Sequence, residues 1–119
     1  MIINEAFKKL QADLPAAERI QRVCVYGGAS EGQWDGYVDA AKRLGEVLGE
    51  AGLDVVYGGG RTGMMGAMAD GALEKDAHVI GVIPEFLDQV EVGHRDVTDL
   101  RLVPDMHTRK RMMFDLAQA

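Results

Sequence analysis

At 119 residues the chain has the size of one small domain, and its 47% hydrophobic and 27% charged residues are those of a folded globular protein rather than a disordered one. Thirteen Lys and Arg against nineteen Asp and Glu leave a net charge of −6, which argues against a nucleic-acid-binding face and leaves only a local basic cluster to meet a small anion. The longest apolar stretch, Val79–Pro84, is far short of a membrane span, Asn4, Glu5, Lys8 and Lys9 interrupt any signal peptide, and the single Cys24 fits a reducing cytoplasm.

Residues 3–14 set Ala6, Phe7, Leu10 and Leu14 on one stripe, predicting a short amphipathic helix before Pro15; residues 1–20 read as an N-terminal helical extension of a single domain. Val23–Tyr26 is a β-branched run halted by Gly27 and Gly28, a buried strand and its turn. Tyr37–Ala51 repeats at helical spacing, with Val38, Ala41, Leu44, Val47, Leu48 and Ala51 on one side, and Gly52 follows where a left-handed residue ends a helix. The unit then recurs: strand 53–57, turn 58–63, and helix 64–73 with Met64, Met65, Met68 and Ala72 inward. His78–Ile83 is a third strand ended by Pro84, 85–99 a loop, and Leu100–Val103 a weak fourth strand. Met106–Ala117 is a final helix with Asp105 as its N-cap. This alternation implies an α/β fold, a doubly wound parallel sheet that is Rossmann-like, with four strands at most and the C-terminal part of the fold missing.

Gly58–Gly66 (GGGRTGMMG) follows a strand and opens a helix, and Gly58, Gly60 and Gly63 satisfy G-x-G-x-x-G. Glycines there let the backbone approach a phosphate, which then rests on the N–H groups of the helix start. A plain turn needs one glycine; five in nine residues, Gly59 and Gly66 included, point to anion binding. A second glycine turn, Gly27–Gly32, lies on the same edge of a parallel sheet. Within it Ser30 has two readings, a donor to phosphate or ribose and a cap for the next helix. Glu85 stands about where the dinucleotide fingerprint expects its acidic residue, so NAD binding is a rival. Two phosphate-approaching turns side by side suit a compact mononucleotide at least as well.

Three consecutive bases, Arg109, Lys110 and Arg111, are separated by helical spacing. Arg111 shares a face with Thr108, Asp115 and Gln118 and is expected in water. Arg109 aligns with Met112, Met113 and Leu116, and Lys110 with Met106, Met113, Phe114 and Ala117, so both flank the apolar face, where a charge requires an anionic partner. A guanidinium beside a phosphate turn is placed to bind or polarise a charged substrate. His78, His94 and His107 have no metal-ligand spacing, so no metal is expected. Cys24 reads as a small core residue, Ser30 lies in no G-x-S-x-G elbow, and Glu91 reads as a surface carboxylate in a loop.

VYGGGRTGMMG, HVIGVIP and MHTRKRMMF, in this order, resemble the LONELY GUY family of cytokinin riboside 5′-monophosphate phosphoribohydrolases, long labelled “possible lysine decarboxylase”. The resemblance runs from about Val23 to the last residue. Gly27-Gly28-Ala29-Ser30 departs from the family's C-G-S-S, and the PGG-x-GT-x-x-E motif with its catalytic glutamate is expected just after Ala119 and absent. The resemblance implies hydrolysis of the N-glycosidic bond of a purine nucleoside 5′-monophosphate, giving base and ribose 5-phosphate, in a homodimer with neither metal nor organic cofactor. It implies a catalytic role for Arg109 with the absent glutamate, and substrate-binding roles for Glu91 and Lys110. The 119 residues alone are then expected to be inactive. The decarboxylase label has no support, because nothing suggests a pyridoxal phosphate site with its lysine. A non-catalytic module that binds a nucleotide or NAD is the alternative.

Overall fold

In the computed structural model, which describes residues 2–15, 19–27, 36–91 and 93–119, the β-branched runs form four parallel strands among the described residues. They are β1 (Arg22–Cys24), β2 (Asp54–Tyr57), β3 (Val79–Pro84) and β4 (Asp99–Val103), in the order β1-β2-β3-β4. Val23 pairs with Val55, Val55 with Val79, and Gly81 with Leu100. The helices are α1 (Ile2–Ala12), α2 (Gly36–Glu50), α3 (Gly63–Glu74), α4 (Glu85–Glu91) and α5 (Met106–Leu116).

Every residue of β3 is buried, as a strand covered on both faces requires. Side chains alternate across the sheet: Val55, Tyr57 and Val79 pack with Ala41 of α2 and Met68, Ala69 and Ala72 of α3. Val56, Ile80 and Val82 face the other way, onto Met113 of α5, with Cys24, Met112 and Leu116 at the margin. The sheet is therefore doubly wound, and Cys24 is half-buried at the edge of this second cluster. Full burial of each such Val, Ile or Met stabilises the fold by about 1.5–3 kcal/mol. The backbones of α2 and α3 meet closely at Gly45 and Gly71, where a Cβ would strike the carbonyls of Met68 and Lys42. Gly52 ends α2's turn with φ +77°, the left-handed residue expected there. On its other side β1 bonds the last residues: the Gln118 N–H donates to the Arg22 carbonyl at 3.0 Å and the Cys24 N–H to that of Ala119 at 2.7 Å.

Two expectations need correction. The segment 85–99 is not all loop, because α4 forms directly after Pro84, with Glu85 and Asp88 in its first turn, where negative charge suits the helix dipole. At seven residues α4 is too short to announce itself by periodicity. The helix predicted at the N-terminus forms as α1, with Phe7 of its stripe half-buried, Leu10 67% exposed and Leu14, beyond the helix end, 39% exposed. Phe114, expected along the apolar edge of α5, stands in solvent, 78% exposed. Strand limits also shift by one or two residues, and Pro84 ends β3 from within. Among the described residues no helix is long and apolar enough to cross a membrane.

Candidate functional site

The carboxyl ends of β1 and β2 open into a cleft of about 250 Å³, bounded by the Gly58–Gly60 turn, the start of α3 and the first turns of α5. Each glycine in the turn has its own physical reason. A Cβ at Gly58 would run into the Arg109 guanidinium. Gly59 has φ +82° and Gly63 φ +69°, conformations that favour glycine. A Cβ at Gly66 would strike the Arg61 carbonyl. A Cβ at Gly60 would meet nothing within 4 Å, and Gly60 lines the cleft.

All three carbonyls of the turn are engaged by donors of the protein. Arg109 Nη2 donates to Gly58 O at 2.6 Å, the His94 N–H to Gly59 O at 2.8 Å, and the Tyr57 hydroxyl to Gly60 O at 2.7 Å. Burial first, and then the charge of Asp70, push the Tyr57 hydroxyl well above its usual range, so it remains a donor. An anion over the turn therefore meets carbonyls already satisfied elsewhere.

The two helix starts differ. Asp105 caps α5, its carboxylate accepting from the Thr108 N–H at 2.7 Å, and this bond holds its carboxyl below the usual carboxylate value. The N-cap of α3, Thr62, makes no side-chain cap bond, so the first-turn N–H groups of α3 keep their positive partial charge for a ligand. Across the cleft stand two of the three bases. Arg109 donates Nε to the Val82 carbonyl at 2.9 Å as well as Nη2 to Gly58, bracing the ends of β2 and β3, while Nη1 lies 3.7 Å from the Met106 sulfur. Lys110 lines the cleft, exposed, and no carboxylate among the described residues pairs with it. Arg111 is exposed and outside the lining, as expected. Tyr26, Met65, Met106 and Met113 supply an apolar wall. The cleft thus combines a glycine turn, a helix start and two basic side chains with an aromatic and thioether surface.

Gly58, Gly60, Arg109 and Lys110 come together as the sequence suggests, with Gly59 and Gly63 shaping the turn. Ser30 and residues 28–35 lie outside the described residues. Glu91 ends α4 instead of lying in a loop, and its side chain is not among those described. Glu85 opens α4, exposed and away from the cleft lining. Sequence reasoning gave no structural role to Tyr57, His94 and Asp70, of which Tyr57 bonds the turn from the cleft lining while Asp70 holds the ring of His94, whose amide bonds Gly59. Among the described residues no group of three or more His, Cys, Asp or Glu is arranged to hold a metal.

Residues 65–119 match the family described as “Possible lysine decarboxylase”. A cytokinin riboside 5′-monophosphate phosphoribohydrolase of Oryza sativa subsp. japonica is 45% identical over 101 residues, covering 85% of this chain and 42% of the relative. One of Arabidopsis thaliana is 41% identical over 95 residues, 80% of this chain and 44% of the relative. The chain spans about half the length of the curated relatives it matches. In fold it is similar to the molybdenum cofactor binding protein from Rippkaea orientalis, with TM-score 0.66 at 19% identity over 84% of this chain and 60% of that one. The glycine turn and the MH-x-RK segment thus meet in one cleft, in a chain that is similar over most of its length to relatives named cytokinin riboside 5′-monophosphate phosphoribohydrolases.

Proposed function

We propose that the cleft binds a purine nucleoside 5′-monophosphate, its phosphate over Gly58–Gly63 and its base against Tyr26 and the methionines. The observation that carries this reading is the turn whose three carbonyls are all engaged by donors of the protein, leading into a helix start with no side-chain cap. The negative charge of the molecule as a whole makes this local anion site the more telling.

The activity proposed for the protein that carries this domain is hydrolysis of the N-glycosidic bond, as the names of the relatives suggest. Water adds to C1′ and gives up a proton, the C1′–N bond breaks with its electron pair leaving on the base, the base takes up a proton, and ribose 5-phosphate remains. Positive charge develops on the ribose, which a carboxylate stabilises while orienting the water. That carboxylate is assigned to the glutamate of PGG-x-GT-x-x-E, a motif these 119 residues do not contain. Arg109 acts with it, Lys110 and Glu91 bind substrate, and grip on the remote phosphate supplies binding energy usable in the transition state. No metal or organic cofactor takes part in this scheme.

Chromatography of free base released from AMP, with EDTA present, tests it on two polypeptides. The 119-residue chain is expected to release none above background, and one extended through PGG-x-GT-x-x-E to release adenine steadily. Turnover by the short chain would move the catalytic carboxylate into it, with Glu91 first in line. An extended chain that binds AMP without cleaving it would make the protein a binding module. Saturable NADH fluorescence with no AMP binding would make the site a dinucleotide site.

A further inference from the structure

Behind the glycine turn lies a polar set that the cleft does not use. His94 follows Gly93, which forms an antiparallel bridge with Gly60, and it is only 2% exposed. Its backbone N–H donates to the Gly59 carbonyl at 2.8 Å. Its ring Nδ1 accepts from the Asp96 N–H at 3.2 Å, and Nε2 lies 2.6 Å from Asp70 Oδ1. A ring nitrogen that accepts carries no proton, so the Asp96 contact places the proton on Nε2, where it is donated to the carboxylate.

Asp70 sits on α3 about two turns beyond its start. One residue, His94, therefore holds the turn through its backbone and the helix through its side chain. The connection closes on itself: the turn runs into α3, α3 carries Asp70, Asp70 holds His94, and His94 returns to Gly59. Such a closed set fixes the angle at which the N–H groups of α3 meet the turn. The segment bearing His94 is anchored in turn, since the Gly93 N–H donates to Asp88 Oδ1 at 2.8 Å and Arg95 pairs with Asp88 at 2.8 Å. Packing alone does not explain a histidine here. A buried imidazole is tolerated only where its nitrogens are bonded, and an apolar residue would fill the same space without that demand.

We propose that His94 and Asp70 are positioning residues for the anion site: neither meets the ligand, and the bond between them sets the geometry between the glycine turn and the start of α3. The inference rests on reading the cleft as a phosphate site. Because the Asp70 side chain is 53% exposed, it can be replaced without opening the core.

The test uses the 119-residue chain with Asp70→Ala, Asp70→Asn and His94→Gln, following AMP affinity by calorimetry, the melting temperature, and hydrogen exchange at the His94 amide. Asp70→Ala should weaken AMP binding about tenfold while the chain stays folded, as misplacement of a binding group by a fraction of an ångström does. Its His94 amide should exchange about tenfold faster, the size of effect that losing a hydrogen bond to a charged group produces. Asp70→Asn keeps an acceptor for Nε2–H, and His94→Gln keeps a donor to Asp70; both should bind AMP within about twofold of the parent if the bond, not the charge, matters. Asp70→Asn alone decides this comparison should the glutamine variant not fold. Unchanged AMP affinity in Asp70→Ala, or an Asp70→Asn variant as weak as Asp70→Ala, would overturn the proposal. If the parent chain binds no AMP, the functional reading fails, and exchange at the His94 amide decides the positioning role: faster in Asp70→Ala supports it, unchanged rejects it.

Discussion

Gly59 and Gly60 are neighbours that respond differently to a methyl group. Gly59 has φ +82°, and its Cβ would press on Ile83 and Leu100 at 3.2 Å, so Gly59→Ala should lower stability by about 1–2 kcal/mol in urea titration. Gly60→Ala meets no protein atom and should leave the urea midpoint nearly unchanged, within about 0.5 kcal/mol. It should nevertheless weaken AMP binding on the order of tenfold, as the loss of one charge-assisted hydrogen bond would. Equal AMP affinity for Gly60→Ala and the parent would remove the phosphate from the turn. Arg109 is bound to two carbonyls, Val82 in β3 and Gly58 in the turn after β2, a reach that a lysine's single ammonium does not reproduce. Arg109→Lys should therefore destabilise the fold by about 1–3 kcal/mol, whereas Arg111→Ala, in solvent, should stay within about 0.5 kcal/mol. In a catalytically complete parent, Arg109→Ala should lower kcat far more than Arg111→Ala. The glycine cluster was legible as a cluster, but composition does not distinguish a glycine needed for its φ from one facing a ligand. His94 was illegible as anything but a lone histidine, since Asp70 lies 24 positions away and meets it only through the fold.

Elements with end signals could be read directly; those without were missed. The α5 helix begins after Asp105 as its capping chemistry predicts, and the bond from the Thr108 N–H to Asp105 holds that carboxyl below its ordinary value of 3.8. A folded value below the unfolded one contributes stability that is complete above the ordinary value and is lost as pH falls through the folded value. The melting-temperature difference between the parent and Asp105→Ala should hence be constant from neutral pH to about 4 and narrow below it. A difference that widened on acidification would contradict the cap. Asp88, held low first by Arg95 and then by the Gly93 amide, should behave in the same way in Asp88→Ala. The short α4 escaped notice because its seven residues cover under two helical turns, too few for a periodic stripe. The stripe of α1 was visible, yet periodicity reports only that a face is apolar, and here Phe7 is half-buried while Leu10 is exposed.

At the scale of the molecule, strand–turn–helix alternation was enough to predict a parallel doubly wound sheet, because a parallel connection requires a crossover and both faces must be covered. What assembles on that sheet was less legible, since exposure depends on partners the sequence does not name. Leu102 and Phe114 are large, apolar and exposed, 48% and 78%, and the family resemblance implies a homodimer. Sedimentation of the 119-residue chain should accordingly show a dimer or larger species; a monomer across the micromolar range would contradict that expectation. The central claim is that the Gly58–Gly63 turn and the start of α5 hold the phosphate of a nucleoside monophosphate. Amide NMR of the ¹⁵N-labelled chain titrated in parallel with AMP and with adenosine tests it most directly. AMP should shift the amides of Gly58, Gly59, Gly60 and Gly63, with adenosine binding on the order of tenfold or more weakly for want of its phosphate. Equal affinity for the two, or shifts confined to residues away from this cleft, would contradict the account.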